Sequence, residues 1–421
     1  MSTYSRRCAC HRTTAGLSHS KRGSPRPYAV AARGHPLLLR LLVAAALAAA
    51  AVAASTPSSQ HMAGAAAAAA PPRLHPAFRD AAALRDLIHR LPKAELHLHI
   101  EGTLEVDMMF ELAAKNGVEL PYADRQAARD ARSNFTCLED FLRLFTDVAV
   151  LKTEDDFYQL AAAYLARAAA EGVRHAELHF DPQGHMVRGV PFEAVHRGLT
   201  RAIAESEIDA ALILSIERER SEAAATAALA RALPNFGGIV AVGLAGGEAG
   251  NPPSKFEGLF RAAEALGLHR TAHAGEEGGP AYVAQALSLL RVERVDHGIR
   301  ALEDPTLVAA MAAAAVPITL CPISNLRLRV YDGQLEARVR AVLASGLAVT
   351  LNSDDPAYFG AYVADNYEWV AGAAGLGPEA LAGLAAASFK ASFITQERKD
   401  AYIASVWQAL ADWQRDQPVP T

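Results

Sequence analysis

The sequence predicts an α/β protein built as a (β/α)8 TIM barrel, with extra helices after the first strand. Eight short runs with strand character alternate with Ala- and Leu-rich stretches, the order of βα units around a parallel sheet. Four of the eight runs end in His, Glu or Asp, as they would if their C-terminal ends surrounded one mouth. The first run ends in His-Leu-His without a Gly-x-Gly phosphate turn, which counts against a doubly wound open sheet.

The strand-like runs cover residues 94–100, 175–181, 210–216, 239–244, 269–274, 294–298, 317–321 and 348–352. The stretches between them are long enough for a helix or more, and 155–170 and 280–290 carry apolar residues at helical spacing. The first connection, 102–172, is longer than one helix requires, so additional helices are expected there, near the barrel mouth.

The 421 residues divide into two parts: an N-terminal segment, 1–79, and a single barrel domain, 80–421. Residues 1–79 contain no Asp or Glu, many Arg and Ser, an apolar run at 41–54 and an Ala-rich stretch. Three readings of this segment stand side by side: a transit peptide, a signal peptide, or a disordered tail or misjudged start. The run is too short and Ala-rich for a stable membrane span. The catalytic domain is expected in the cytoplasm, with organelle targeting or secretion as alternatives. A formal net charge of −5 lacks the basic face of a nucleic-acid binder and points to small-molecule chemistry. The four cysteines, Cys8, Cys10, Cys137 and Cys321, do not form a disulfide framework and read as structurally incidental.

In Glu95-Leu96-His97-Leu98-His99 strand alternation puts both imidazoles on one face, about 7 Å apart along the chain. Two histidines facing one point suit a metal. The fifth run ends in His273-Ala274-Gly275-Glu276-Glu277, the sixth in Asp296-His297-Gly298 and the eighth in Asn352-Ser353-Asp354-Asp355-Pro356. Imidazoles with one carboxylate fit zinc, with iron, cobalt or manganese as possible substitutes. No lysine stands at the end of the fourth run to bridge two metals, which favours one ion per chain. The His-x-Glu and Pro-Cys-x-x-Cys pattern of cytidine-type zinc deaminases is absent.

From 92 onward the chain resembles the adenosine/adenine deaminase family of metal-dependent hydrolases. The resemblance rests on PKAELHLHIEGTL at Pro92, HAGEE at His273, DHG at Asp296, CPISN at Cys321 and NSDDP at Asn352, in that order. It implies one zinc held by His97, His99, His273 and Asp354. It also implies that Glu276 donates a proton to purine N1, and that His297 orients or deprotonates the attacking water. Asp355 would hydrogen-bond the purine near N7, and the backbone N–H of Gly246 could reach N3. The reaction implied is hydrolytic removal of the 6-amino group of a purine, with a small molecule as partner and the oligomeric state left open. Segments 180–185, 251–256 and 355–360 look like the adenine branch, whereas 215–220 and 243–248 depart from it. The reading is adenine to hypoxanthine and ammonia in purine salvage, with adenosine to inosine as the alternative. Two other classes are alternatives: a cyclic-amide hydrolase, disfavoured by the single-metal ligand set and the missing lysine, and a non-catalytic binding protein, disfavoured because Glu276 and the ligand set are intact.

Overall fold

The computed structural model describes residues 81–417 except 332. The expected N-terminal segment, 1–79, lies outside the described residues, as do Cys8 and Cys10. Among the described residues no helix is long and apolar enough to cross a membrane.

Eight parallel strands follow one another in sequence order around the sheet: β1 Lys93–His99, β2 Val173–Phe180, β3 Asp209–Glu217, β4 Ile239–Ala245, β5 His269–Ala274, β6 Arg294–His297, β7 Pro317–Leu320 and β8 Ala348–Leu351. Each falls within two residues of the run expected from the sequence. The seam between β8 and β1 closes at the mouth. There the Asp354 N–H donates to the His97 carbonyl at 3.1 Å, and the His99 N–H donates to the Asp354 carbonyl at 2.9 Å. Asn352 adds a side-chain acceptor for the Leu96 N–H at 2.8 Å. The bonds that close the barrel therefore use the backbone of three residues expected to bind metal.

The long first connection carries the expected extra helices, Val106–Asn116, Arg125–Ser133 and Leu138–Leu144, before the barrel helix Glu154–Ala170. The last of these starts where Thr153 and Asp156 form a reciprocal capping box. The expected helix at 280–290 is α-helical only over Pro280–Gln285 and widens into a π turn over Ala286–Leu290. That turn buries Ala286, Leu287 and Leu290.

The main core lies between the barrel and its outer helices. A second, smaller apolar cluster includes Phe135, Leu138, Phe141, Ile323, Leu328, Tyr358 and Phe359. It joins the extra helices to the segments after β7 and β8. Burying an aromatic side chain of this kind stabilises by about 1.5–3 kcal/mol, so the cluster helps hold helix Leu138–Leu144 at the mouth, while Met109, Leu112 and Ala128 tie the first two insertion helices to the main core. At the opposite end of the barrel, Arg294 Nη1 meets Glu177 Oε2 at 2.6 Å, both fully buried.

Candidate active site

The strand ends bring together the residues that the sequence singled out. His97 and His99 point inward from β1, His273 from β5, and Asp354 from the residue paired across the seam. Nε2 of His97 lies 3.0 Å from Nε2 of His273, and Nε2 of His99 lies 3.2 Å from the same atom. Oδ1 of Asp354 is 3.4 Å from His97 Nε2 and 3.7 Å from His99 Nε2. All four ligand atoms lie within 4.8 Å of one another and all four residues are buried. Bonds of about 2.0–2.1 Å to a tetrahedral zinc place neighbouring ligand atoms about 3.3 Å apart. The printed separations bracket that value, so the cluster has the dimensions of a mononuclear zinc site. Without a cation, three imidazole nitrogens and a carboxylate oxygen would crowd their lone pairs together in a dry pocket.

His97 and His99 are oriented through their other nitrogens, as metal-binding histidines usually are, whereas His273 Nδ1 only has a carboxylate nearby. His97 Nδ1 meets Thr319 Oγ1 at 2.8 Å, and that hydroxyl donates to Asp296 Oδ1 at 3.1 Å. His99 Nδ1 meets Asp181 Oδ2 at 3.3 Å. His273 Nδ1 is 3.6 Å from Asp296 Oδ2. Cys321, given no role by the sequence reading, is buried with Sγ 3.5 Å from His97 Nδ1. Glu95 fixes the other side of the seam: it accepts from the Ser353 N–H at 3.0 Å and from the Tyr164 hydroxyl at 2.7 Å.

Two non-glycine residues of the site are held in the left-handed backbone region, His297 at φ 61° and Asp354 at φ 67°. Such conformations cost about 1–3 kcal/mol and persist only where the surroundings enforce them. For Asp354 the seam hydrogen bonds supply that enforcement.

His297 Nε2 lies 3.5 Å from Glu276 Oε2 and 3.8 Å from Asp354 Oδ2. Burial, and then the charge of His97, push the His297 imidazole down to about 3, so the ring is neutral. Burial raises the Glu276 carboxyl well above its usual range, helped by the nearby Asp354 and Glu248 carboxylates. Asp355 is raised for the same first reason, with Asp354 beside it as the second. Burial thus favours the protonated form of both groups, and each keeps a buried oxygen without a protein partner, Glu276 Oε1 and Asp355 Oδ1.

The turn that carries Glu276 is held by a residue to which the sequence reading gave no role. The buried Glu248 carboxylate accepts four consecutive backbone N–H groups: Gly275 at 2.8 Å, Glu276 at 3.0 Å, and Glu277 and Gly278 at 2.8 Å each. Glu277 returns the contact by accepting the Glu248 N–H at 3.1 Å. A carboxylate two residues after Gly246 carried no signal that its partners lie 27–30 positions away.

A cavity of about 330 Å³ opens over this cluster. His99, His273, Glu276, His297, Asp354 and Asp355 lie at its base, and Leu138, Phe141 and Phe145 of the insertion form an apolar wall. Gly246 also lines it, at φ 95°, and the adjoining Gly247 N–H donates to Glu219. Gly102 packs directly on Asp355, since a Cβ at position 102 would lie 2.7 Å from Asp355 Cα and Cβ. A small polar, flat molecule fits this space. An uncharged imidazole and a carboxyl whose proton affinity is raised by burial, both facing a metal-sized cluster, suit addition of water to an electron-poor ring.

The family model described as adenosine deaminase matches residues 92–409. The chain is 52% identical over 328 residues to an adenine deaminase of Streptomyces coelicolor, covering 76% of this chain and 96% of the relative. It is 50% identical to an adenine deaminase of Sphingopyxis alaskensis, covering 75% and 94%. Among solved structures it is similar to an adenine deaminase from Arthrobacter aurescens, at 45% identity, TM-score 0.73, and coverage of 76% of this chain and 99% of that one. It is also similar to an amidohydrolase from Burkhoderia ambifaria with bound zinc, at 28% identity, TM-score 0.75, and coverage of 82% and 97%.

Proposed function

Since this chain belongs to the adenosine deaminase family, we propose that it hydrolyses free adenine to hypoxanthine and ammonia. The observation that carries this reading is its 44–52% identity, over nearly the full length of each, to relatives named adenine deaminase.

His97, His99, His273 and Asp354 would hold one zinc ion per chain; their spacing supports this ligand set. When bound, zinc supplies hydroxide near neutral pH by lowering the pKa of water to about 7. The remaining work falls to side chains. Glu276 donates its proton to ring N1, which makes C6 electrophilic. His297 takes a proton from the attacking water and returns it to the departing amino group, and the proton of the new C6 hydroxyl passes back to Glu276. A C6–O bond forms, the C6–N6 bond breaks, and ammonia leaves. Asp355, protonated, donates to N7, while the Gly246 N–H faces the N3 edge. Proton transfers of this kind each contribute about 10²–10⁴-fold.

The test is a steady-state comparison of adenine and adenosine on the metal-loaded protein. The reading requires kcat/KM for adenine to exceed that for adenosine; the reverse order overturns it and restores the adenosine alternative.

A further inference from the structure

Among the described residues, four carboxyl oxygens of the cavity residues are buried without a partner: Glu276 Oε1, Asp355 Oδ1, Asp181 Oδ1 and Glu101 Oε2. The proposed mechanism uses the first two, and Asp181, through its Oδ2, holds the His99 imidazole and so belongs to the support of the metal cluster. Glu101 remains, fully buried at the end of β1. Its other oxygen, Oε1, is committed twice: it accepts the Asp181 N–H at 3.1 Å and His185 Nε2 lies 3.2 Å away. Arg188, which can only donate, contacts His185 Nδ1 at 3.1 Å, so Nε2 is the nitrogen that carries the proton toward Glu101. The carboxyl plane is thus fixed, and Oε2 is the atom left to face a ligand. A buried acceptor without a donor costs free energy that a ligand donor can recover.

Its place in the site says which donor. The next residue, Gly102, abuts the Asp355 carboxyl. Asp355 is the group proposed to meet N7, and N7 shares its five-membered ring with N9. Free adenine has two donor groups, the 6-amino group, which the reaction puts at the metal cluster, and the N–H at N9; its other ring nitrogens are acceptors. In a nucleoside that hydrogen is replaced by the sugar. We propose that Glu101 is a specificity-determining residue whose Oε2 accepts the N9–H of the free base, so that the site recognises a purine with an unsubstituted N9. This rests on the reading that adenine is the substrate.

The experiment compares adenine, 9-methyladenine and adenosine with the parent protein and Glu101→Gln. In Glu101→Gln the amide carbonyl is drawn to the two donors at Oε1, which leaves the NH2 facing N9–H. Donor then opposes donor for adenine, whereas 9-methyladenine has no N9–H to lose. The parent is expected to favour adenine over 9-methyladenine in kcat/KM by at least about 100-fold. Glu101→Gln is expected to lower kcat/KM for adenine about 10–100-fold and to leave 9-methyladenine within about threefold. Zinc content and the melting curve, both expected to match the parent, report whether the variant is folded. Equal losses on both substrates, or no loss on adenine, overturn the assignment. A parent ratio near one overturns it without any variant. A parent that prefers adenosine to adenine overturns the adenine reading itself. A preference for adenine with an unchanged ratio in Glu101→Gln overturns Glu101 alone.

Discussion

Replacing Glu248 by Ala removes one carboxylate and four hydrogen bonds from the turn that presents Glu276. The N–H groups of Gly275 and Glu276 are on buried residues and would be left without acceptors. At about 1–3 kcal/mol for each buried unsatisfied donor, the two cost about 2–6 kcal/mol. Glu277 and Gly278 are partly exposed and can turn to water. The turn then loosens just where the proton donor must be held, and a displacement of about 1 Å there is worth about 100-fold in rate. We expect Glu248→Ala to melt several degrees lower and to lose about 100-fold in kcat/KM on adenine while retaining zinc. Loss of the Glu248 charge also removes one of the influences that raise Glu276, so the alkaline limb of the pH profile should move to lower pH. Glu248→Gln should fall between, because one carbonyl cannot serve Gly275 and the other three donors together. Kinetics, zinc analysis and thermal melting on the three proteins decide the matter. Glu248→Ala with kcat/KM within about twofold of the parent and an unchanged melting temperature would refute a structural hold on Glu276 worth several kcal/mol.

Glu276→Gln should keep fold and zinc but lose about 10²–10⁴-fold in turnover; near-normal turnover contradicts its role as the acid. In the parent, Glu276 acts in its protonated form and burial raises its pKa, so kcat/KM should hold across neutrality and fall as pH rises through that value. A rate that climbs steadily from neutral into alkaline pH has the wrong sign. Gly102→Ala should displace the Asp355 carboxyl, because the new Cβ would overlap it, and raise KM for adenine with little change in zinc content; an unchanged KM would show that Asp355 does not meet the substrate. Asp296→Asn, beside His273 Nδ1 and Thr319, should weaken zinc binding about 10–100-fold. Competition with a chelator that gives the parent affinity would place Asp296 outside the metal's support.

The barrel was legible because its strands announce themselves twice, by short runs of β-prone residues and by polar residues clustered at their C-terminal ends. The strand ends read from that pattern, 100, 274 and 298, fall within one residue of those observed, 99, 274 and 297. Alternation in β1 aims His97 and His99 at one point, whereas the choice of His273 and Asp354 as their partners came from the resemblance to the deaminase family. What escaped the sequence acts across long separations. Thr319 supports His97 from 222 positions away and Asp181 supports His99 from 82. Neither a lone threonine nor an aspartate before a proline signals such a partner. Glu248 was invisible for a different reason, since its partners are backbone N–H groups and these leave no trace in residue identity. The π turn at Ala286–Leu290 follows from local packing against the core, to which helical periodicity is blind.

The most direct test of the account is the ratio of kcat/KM for adenine to that for adenosine, measured by loss of the 6-amino chromophore on protein whose zinc has been counted. The account predicts one zinc per chain and a clear preference for adenine. Equal or better turnover of adenosine, at full zinc occupancy, would contradict it.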